Sequence, residues 1–249
     1  MKKILTFLAM TATILAVSVS CNKDNGEDDN GGNEEQSAGL GIKIDGNFDD
    51  WATLKPENVV SAKNNSNSPW SAVTEIRCCA DKDFVYYYIK YNKEELKEQM
   101  DNDEELPIRL CIDTNGDFST GYESYFLDAY DFIVEGALAD GAGAWGTYAG
   151  TLHQRTWLED QQKDGWKELI PSTGGLVTGM GSGNEYEILL ARELFNNAVP
   201  AEHKMGDVFY TGIRFYGYGW SELSNMPNTS IEEGDGNGWG HLLKITTVK

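Results

Sequence analysis

The sequence predicts an all-β fold, a single antiparallel β-sandwich with one or two short helices. Three observations carry that reading. From about Gly39 to Lys249 most apolar segments alternate with period two. Gly-rich and Asn/Asp-rich turns separate them, drawing on 27 glycines. Only two stretches have helical character, Lys93 to Met100 and Ala191 to Asn197.

The strands follow in order. Val85 to Tyr91 places Val85, Tyr87, Ile89 and Tyr91 on one face. Pro107 to Asp113 does the same with Ile108, Leu110 and Ile112. Asp131 to Glu135 is a short apolar strand. Glu185 to Leu190 gathers Tyr186, Ile188 and Leu190, and Val208–Tyr216 and His241–Val248 complete the strong candidates. No second linker and no internal repeat interrupts this region, so residues 39–249 read as one domain.

The chain has 249 residues, 40% apolar and 24% charged, which is ordinary globular composition. Acids outnumber bases 40 to 20, and a net charge of −20 repels phosphates, so nucleic acid is excluded as a partner. Three histidines, with no His-x-x-x-His or Cys-x-x-Cys, argue against the common zinc sites. No G-x-x-x-x-G-K-S/T loop is present, which removes the usual NTPases.

The N-terminus reads as an address. Lys2-Lys3 precedes the largely apolar run Ile4–Val17, 14 residues, too short to span a bilayer and suited to a signal peptide. Ser18-Val19-Ser20 then leads to Cys21. The pattern resembles a bacterial lipoprotein signal cut before Cys21, with Ser18 standing where leucine is usual. That resemblance implies a signal peptide over 1–20, lipidation of Cys21, and an anchor in outer-membrane lipid of a gram-negative bacterium. Residues 22–37 hold six acids, one lysine and three glycines, with no large apolar side chain, so 21–38 is expected to be an acidic disordered tether. Acids this close to the cysteine resemble an export signal to the outer surface, which implies a domain facing the exterior. Loss of residues 1–20 leaves 18 bases against 40 acids, a charge of −22.

Ile44-Asp45-Gly46-Asn47-Phe48-Asp49-Asp50-Trp51 runs a short strand into a tight turn, an acidic pair and a tryptophan. This opening resembles that of the carbohydrate-binding module family 9-like sandwiches, of DOMON-like jelly-roll type, whose domains begin I-D-G-x-x-D-D/E-W. Further pieces follow in the family's order: Asp83–Ile89, Ile112–Asp117 with Thr120-Gly121, Ala129–Phe132, Asn184–Ile188 and Trp239-Gly240. Ala191 departs from the family, which often has proline there. The resemblance spans nearly the whole domain and implies a carbohydrate-binding sandwich. Asp45, Asp50 and Trp51 are expected to serve the fold, Asp by closing the turn and Trp by plugging one end of the core.

Asp113-x-Asn115-x-Asp117 sets oxygen ligands at alternating loop positions, as calcium requires. The EF-hand pattern is not met: Phe118 occupies the position of its glycine, and Glu123 falls one residue early. A calcium site would be completed from elsewhere, by Asp131 or Glu123. The alternative is a turn capped by its own Asp and Asn side chains.

Trp145, Trp157, Trp166 and Trp220 lie in Gly-rich or polar segments that read as loops. Flat aromatics stack on the C–H faces of sugar rings, and neighbouring polar groups bind the hydroxyls. Trp145, Trp166 and Trp220 are the candidate contacts, with Arg155 and Arg214 as hydroxyl donors. Cys78, Cys79 and Cys111 either include one bridge, Cys78 or Cys79 to Cys111, or stay free. With no G-x-S-x-G or H-E-x-x-H motif, and with His153, His203 and His241 isolated, no enzyme is expected. The expected function is non-catalytic glycan binding at the cell surface. The alternative is a protein-binding adhesin, or a structural subunit packed with other surface lipoproteins.

Overall fold

Two antiparallel sheets follow from the period-two segments. The computed structural model describes residues 39–65, 72–99, 105–141, 144–145, 150–217, 221–233 and 236–249. Cys21, the signal and tether segments, and Trp220 lie outside the described residues. The first sheet contains β1 (Val60–Lys63), β2 (Val73–Ala80), β3 (Phe84–Tyr91), β9 (Val177–Ser182) and β10 (Glu185–Ala191), ordered β1-β2-β3-β10-β9. The second contains β4 (Glu105–Asp113), β5 (Phe132–Gly141), β7 (Gly150–Leu158), β8 (Lys163–Ile170), β11 (Val208–Tyr216) and β12 (Glu222–Met226), ordered β12-β11-β4-β5-β7-β8. The short β6 (Ala144–Trp145) pairs with β5, and β13 (Leu243–Thr246) pairs with the first half of β11.

The predicted faces meet between the sheets. Val85, Tyr87 and Ile89 of β3, Tyr186, Ile188 and Leu190 of β10, and Ile108, Leu110 and Ile112 of β4 are all at 0% exposure in one apolar cluster. Each such side chain contributes roughly 1.5–3 kcal/mol by leaving water. The Tyr87 hydroxyl, buried among them, hydrogen-bonds the Thr211 hydroxyl at 3.1 Å, so this polar atom does not tax the core.

The two helices stand where the sequence places them, α1 at Lys93–Gln99 and α2 at Arg192–Ala198. Arg192 buries its guanidinium and donates to the carbonyls of Asp81, Met205 and Gly206 and to the Thr247 hydroxyl. It thereby ties α2 to the β2–β3 turn and to the C-terminus.

Trp51 is buried, though not at an end of the main core. It sits on the outer face of the five-stranded sheet with Ile42, Cys79, Tyr86 and Tyr88, under an N-terminal strap that crosses that sheet. Cys78 lies between the sheets and Cys79 lies under the strap, on opposite faces as strand alternation requires. Cys111 lies on the outer face of the other sheet, and all three cysteines are free and buried.

The segment 114–131 folds back over the outer face of the eight-stranded sheet. Phe126 and Tyr130 cover Cys111 and Ile133 there, with Phe118, Tyr122, Tyr210 and Trp166 around them. Gly121 adopts φ +97°, and a Cβ there would lie 2.7 Å from the Tyr130 carbonyl oxygen, so only glycine passes at this point. Two acid–histidine contacts hold the C-terminal end of the segment: Asp131 with His203 at 3.2 Å and Asp128 with His241 at 2.9 Å. Among the described residues, no helix is long and apolar enough to cross a membrane.

Candidate functional site

The segment 114–131 reaches β7 and β8 through Tyr122 and Tyr130 and leaves Trp157 exposed, and the aromatics gather there. Trp157 and Trp166 were expected on loops and stand instead on β7 and β8; Trp145 is likewise in a strand, on β6. The loop reading failed because Lys163-Asp164-Gly165 and Gly143–Gly150 look like turn chemistry, whereas β8 is an edge strand with little apolar burial to advertise itself. Trp220 is outside the described residues.

Register decides which side chains meet. Arg155 pairs with Trp166 across β7 and β8, and Trp157 pairs with Asp164. Residues two apart on a strand share a face, so Arg155, Trp157, Asp164 and Trp166 form one outward patch. Arg155 Nη2 lies 3.2 Å from Asp164 Oδ2. The Arg155 guanidinium stands 5.8 Å from the Trp166 ring centroid and 5.1 Å from that of Tyr122. Trp166 packs edge-on against Tyr122 at 5.5 Å and stacks on Tyr130 at 6.2 Å, so one face of its ring belongs to the fold. Trp157 is 57% exposed, the largest exposure of any large hydrophobic side chain among the described residues.

Of the predicted contacts, Trp166 and Arg155 therefore come together. Arg214 does not join them at the surface. It is 2% exposed on β11, donates to the Tyr130 hydroxyl at 3.3 Å and lies under the Tyr125 ring, with its charge centre 3.4 Å from that centroid. Glu222 is its acidic neighbour at 4.0 Å, and burial pushes the Glu222 carboxyl up to about 7 against the pull of Arg214. Arg214 thus supports Tyr130, on which Trp166 stacks. Sequence reasoning missed Trp157, Asp164 and Tyr122 as members of the patch. The alternation His153-x-Arg155-x-Trp157 was a legible strand signal for the first of these; the cross-strand partners required the register.

The proposed metal ligands divide. Asp113 is fully buried; its Oδ1 accepts from Gly116 N at 2.6 Å, and its Oδ2 is buried without a hydrogen-bond partner. Burial, reinforced by the charge of Asp131, pushes the Asp113 carboxyl up to about 6. Asp131 is also raised by burial, with His203 opposing. Asn115 and Asp117 use their side-chain oxygens within the turn: Asn115 accepts from Asp117 N at 2.7 Å, and Asp117 accepts from Ser119 N at 3.2 Å and its hydroxyl at 2.5 Å. The self-capped turn is therefore present. Among the described residues no group of three or more His, Cys, Asp and Glu side chains is arranged to hold a metal ion.

No protein-family model matches the chain, and no curated protein matches it significantly.

Proposed function

We propose that this chain is a non-catalytic glycan-binding protein, held at the outer face of an outer membrane by lipid on Cys21, and that the β7–β8 patch is its ligand platform. The observation that carries the reading is Trp157, more than half exposed beside a charge-paired Arg155–Asp164. A flat ring offers a stacking surface for the C–H face of a sugar. The guanidinium and carboxylate supply the donor and acceptor that hydroxyls need, and their mutual pairing fixes both in place. Trp166 and Tyr122 brace the arginine from behind.

The test is a glycan array on the purified protein, followed by titration of the best hit. Trp157→Ala is expected to weaken binding at least tenfold, about 1.4 kcal/mol, and to leave the melting temperature within about 2 °C because the ring is exposed. Arg155→Ala should weaken binding as well. Wild-type affinity in both variants removes the platform. A silent array on folded protein transfers the reading to a protein partner, for which an exposed tryptophan is equally an anchor. The charges Lys163, Asp164, Lys167 and Glu168 along β8 disfavour partner capture by strand addition at this edge.

Calcium belongs to the same proposal, as a stabiliser of the 113–131 segment. Its support is the buried, unpartnered Asp113 Oδ2 beside the like charge of Asp131, which a hard cation would neutralise. Asn115 and Asp117 lie on the same turn.

A further inference from the structure

The opposite sheet carries a second concavity. The N-terminal strap does not cover the whole outer face of the five-stranded sheet. Between the strap and the β9–β10 hairpin lies a cleft of about 790 Å³, within the range of small-ligand pockets. Lys90 and Glu185 form its floor as a direct cross-strand pair, and Asn47, Phe48, Asp49 and Asn184 line its walls.

The orientation of both asparagines is fixed by the fold. Asn47 Oδ1 accepts from Asp49 N at 3.2 Å and caps the single helical turn Phe48–Ala52. Asn184 Oδ1 accepts from Lys93 N at 3.3 Å at the start of α1. With each oxygen held by a backbone N–H, each NH₂ group is left to act as a donor on residues that line the cleft. Both residues are exposed, as is Lys90, whose ammonium has no hydrogen-bond or ion-pair partner among the described residues. Asp49 is exposed and supplies a carboxylate. The Phe48 ring, half-buried, is held edge-on against Tyr88 at 5.8 Å. Tyr88 in turn donates to Glu185, so aromatic wall and acidic floor are linked.

Two preset amide donors, a free ammonium, carboxylate acceptors and one braced aromatic ring are the components that sugar recognition requires. We infer that this cleft is a second glycan-binding site, taking one sugar residue with its C–H face on Phe48 and its hydroxyls on Asn47, Asn184 and Lys90. Sites on both outer faces make the domain bivalent, so one molecule can bridge two chains of a polysaccharide or gain avidity on one. The inference shares its ligand class with the β7–β8 platform and shares none of its residues.

Asparagine-to-aspartate changes test it cleanly. Asn47→Asp and Asn184→Asp keep the capping oxygen and exchange the amide donor for a charged acceptor oxygen, a change that a neutral probe reads as loss of the donor. The probes are neutral gluco-, xylo- and manno-oligosaccharides and oligogalacturonate, titrated calorimetrically into the purified protein. Wild type is expected to take two equivalents of one of them. Trp157→Ala should retain one, and in that background the double Asp variant should weaken it at least tenfold. Loss of all binding in Trp157→Ala overturns the second site and leaves the platform standing. Binding that survives Trp157→Ala at full stoichiometry and vanishes in the Asp double variant overturns the platform and leaves the cleft. Unchanged binding in Trp157→Ala with the Asp double variant overturns the cleft, as does a wild type that binds none of the probes. Should the Asp variants unfold, Lys90→Met, at an exposed side chain with no cap to lose, makes the same measurement.

Discussion

Glu187 is the residue on which the N-terminal strap depends. It is fully buried on β10 and accepts from Asp45 N at 2.8 Å, Gly46 N at 2.9 Å and Trp51 Nε1 at 3.1 Å. Burial raises its carboxyl, and those three donors oppose the rise. The opening motif was legible as structural: Asp45 Oδ1 does close the turn by accepting from Asn47 N at 2.9 Å, and Trp51 is buried. Its anchor was not, because nothing local marks an acid more than a hundred residues away as the partner of a turn. Glu187→Ala leaves the buried Trp51 Nε1 and two part-buried backbone N–H groups without their acceptor and is expected to cost about 2–4 kcal/mol in urea denaturation. Glu187→Gln, which keeps one acceptor oxygen, should cost less. A loss under about 1 kcal/mol for the alanine variant means that apolar packing of Trp51 and Ile42 holds the strap alone.

At the scale of elements, burial decided what could be read. β3, β4, β10 and β11 declare themselves because one face of each meets the core, and their alternation survives any reasonable choice of boundary. β7 and β8 enter the core at the Leu152–Ile170 end of their register and run out toward solvent at the other, so Gly165 and the charges beside it read as a turn although they pair in a strand. The 114–131 segment was legible as a turn with acids, and its path over the sheet was not, since that path rests on Phe126, Tyr130 and Leu242 meeting from distant positions. This segment is where the calcium proposal is decided. With calcium bound, a chelator should lower the melting temperature by several degrees, and Asp113→Asn, which keeps an oxygen for Gly116 N, should abolish that response. A chelator without effect on wild type removes calcium, and the Asx hydrogen bonds of Asn115 and Asp117 then suffice for the turn.

The whole molecule is acidic, with a net charge of −20, and its buried acids accentuate the consequence. An acid whose folded pKa is raised keeps a proton that the unfolded chain has released. Its stabilisation is therefore complete below the unfolded pKa and is lost as pH rises through the folded one. For Glu222 that window runs from the ordinary 4.5 to about 7. The full shift corresponds to at most about 3 kcal/mol, and to about half that once partial solvent screening by the rim of β12 is counted. General repulsion among carboxylates acts in the same direction. The protein is thus expected to melt at a higher temperature at pH 5.5 than at pH 8, measured in chelator so that no metal intervenes. Glu222→Gln separates the local effect from the global one: it should match wild type only below pH 4.5, exceed it slightly at pH 5.5 and more at pH 8, and flatten the slope between. Parallel slopes for the two proteins would assign the pH dependence to surface charge and to the other buried acids, Asp113 first among them, and leave the Arg214–Glu222 contact ionised throughout. A flattened slope would make the pair a protonated acid beside a lone guanidinium at low pH, with Arg214 still positioned under Tyr125 and still bracing Tyr130. Ligand affinity at the β7–β8 platform should then be unchanged by Glu222→Gln, because Glu222 meets Arg214 and none of the platform side chains.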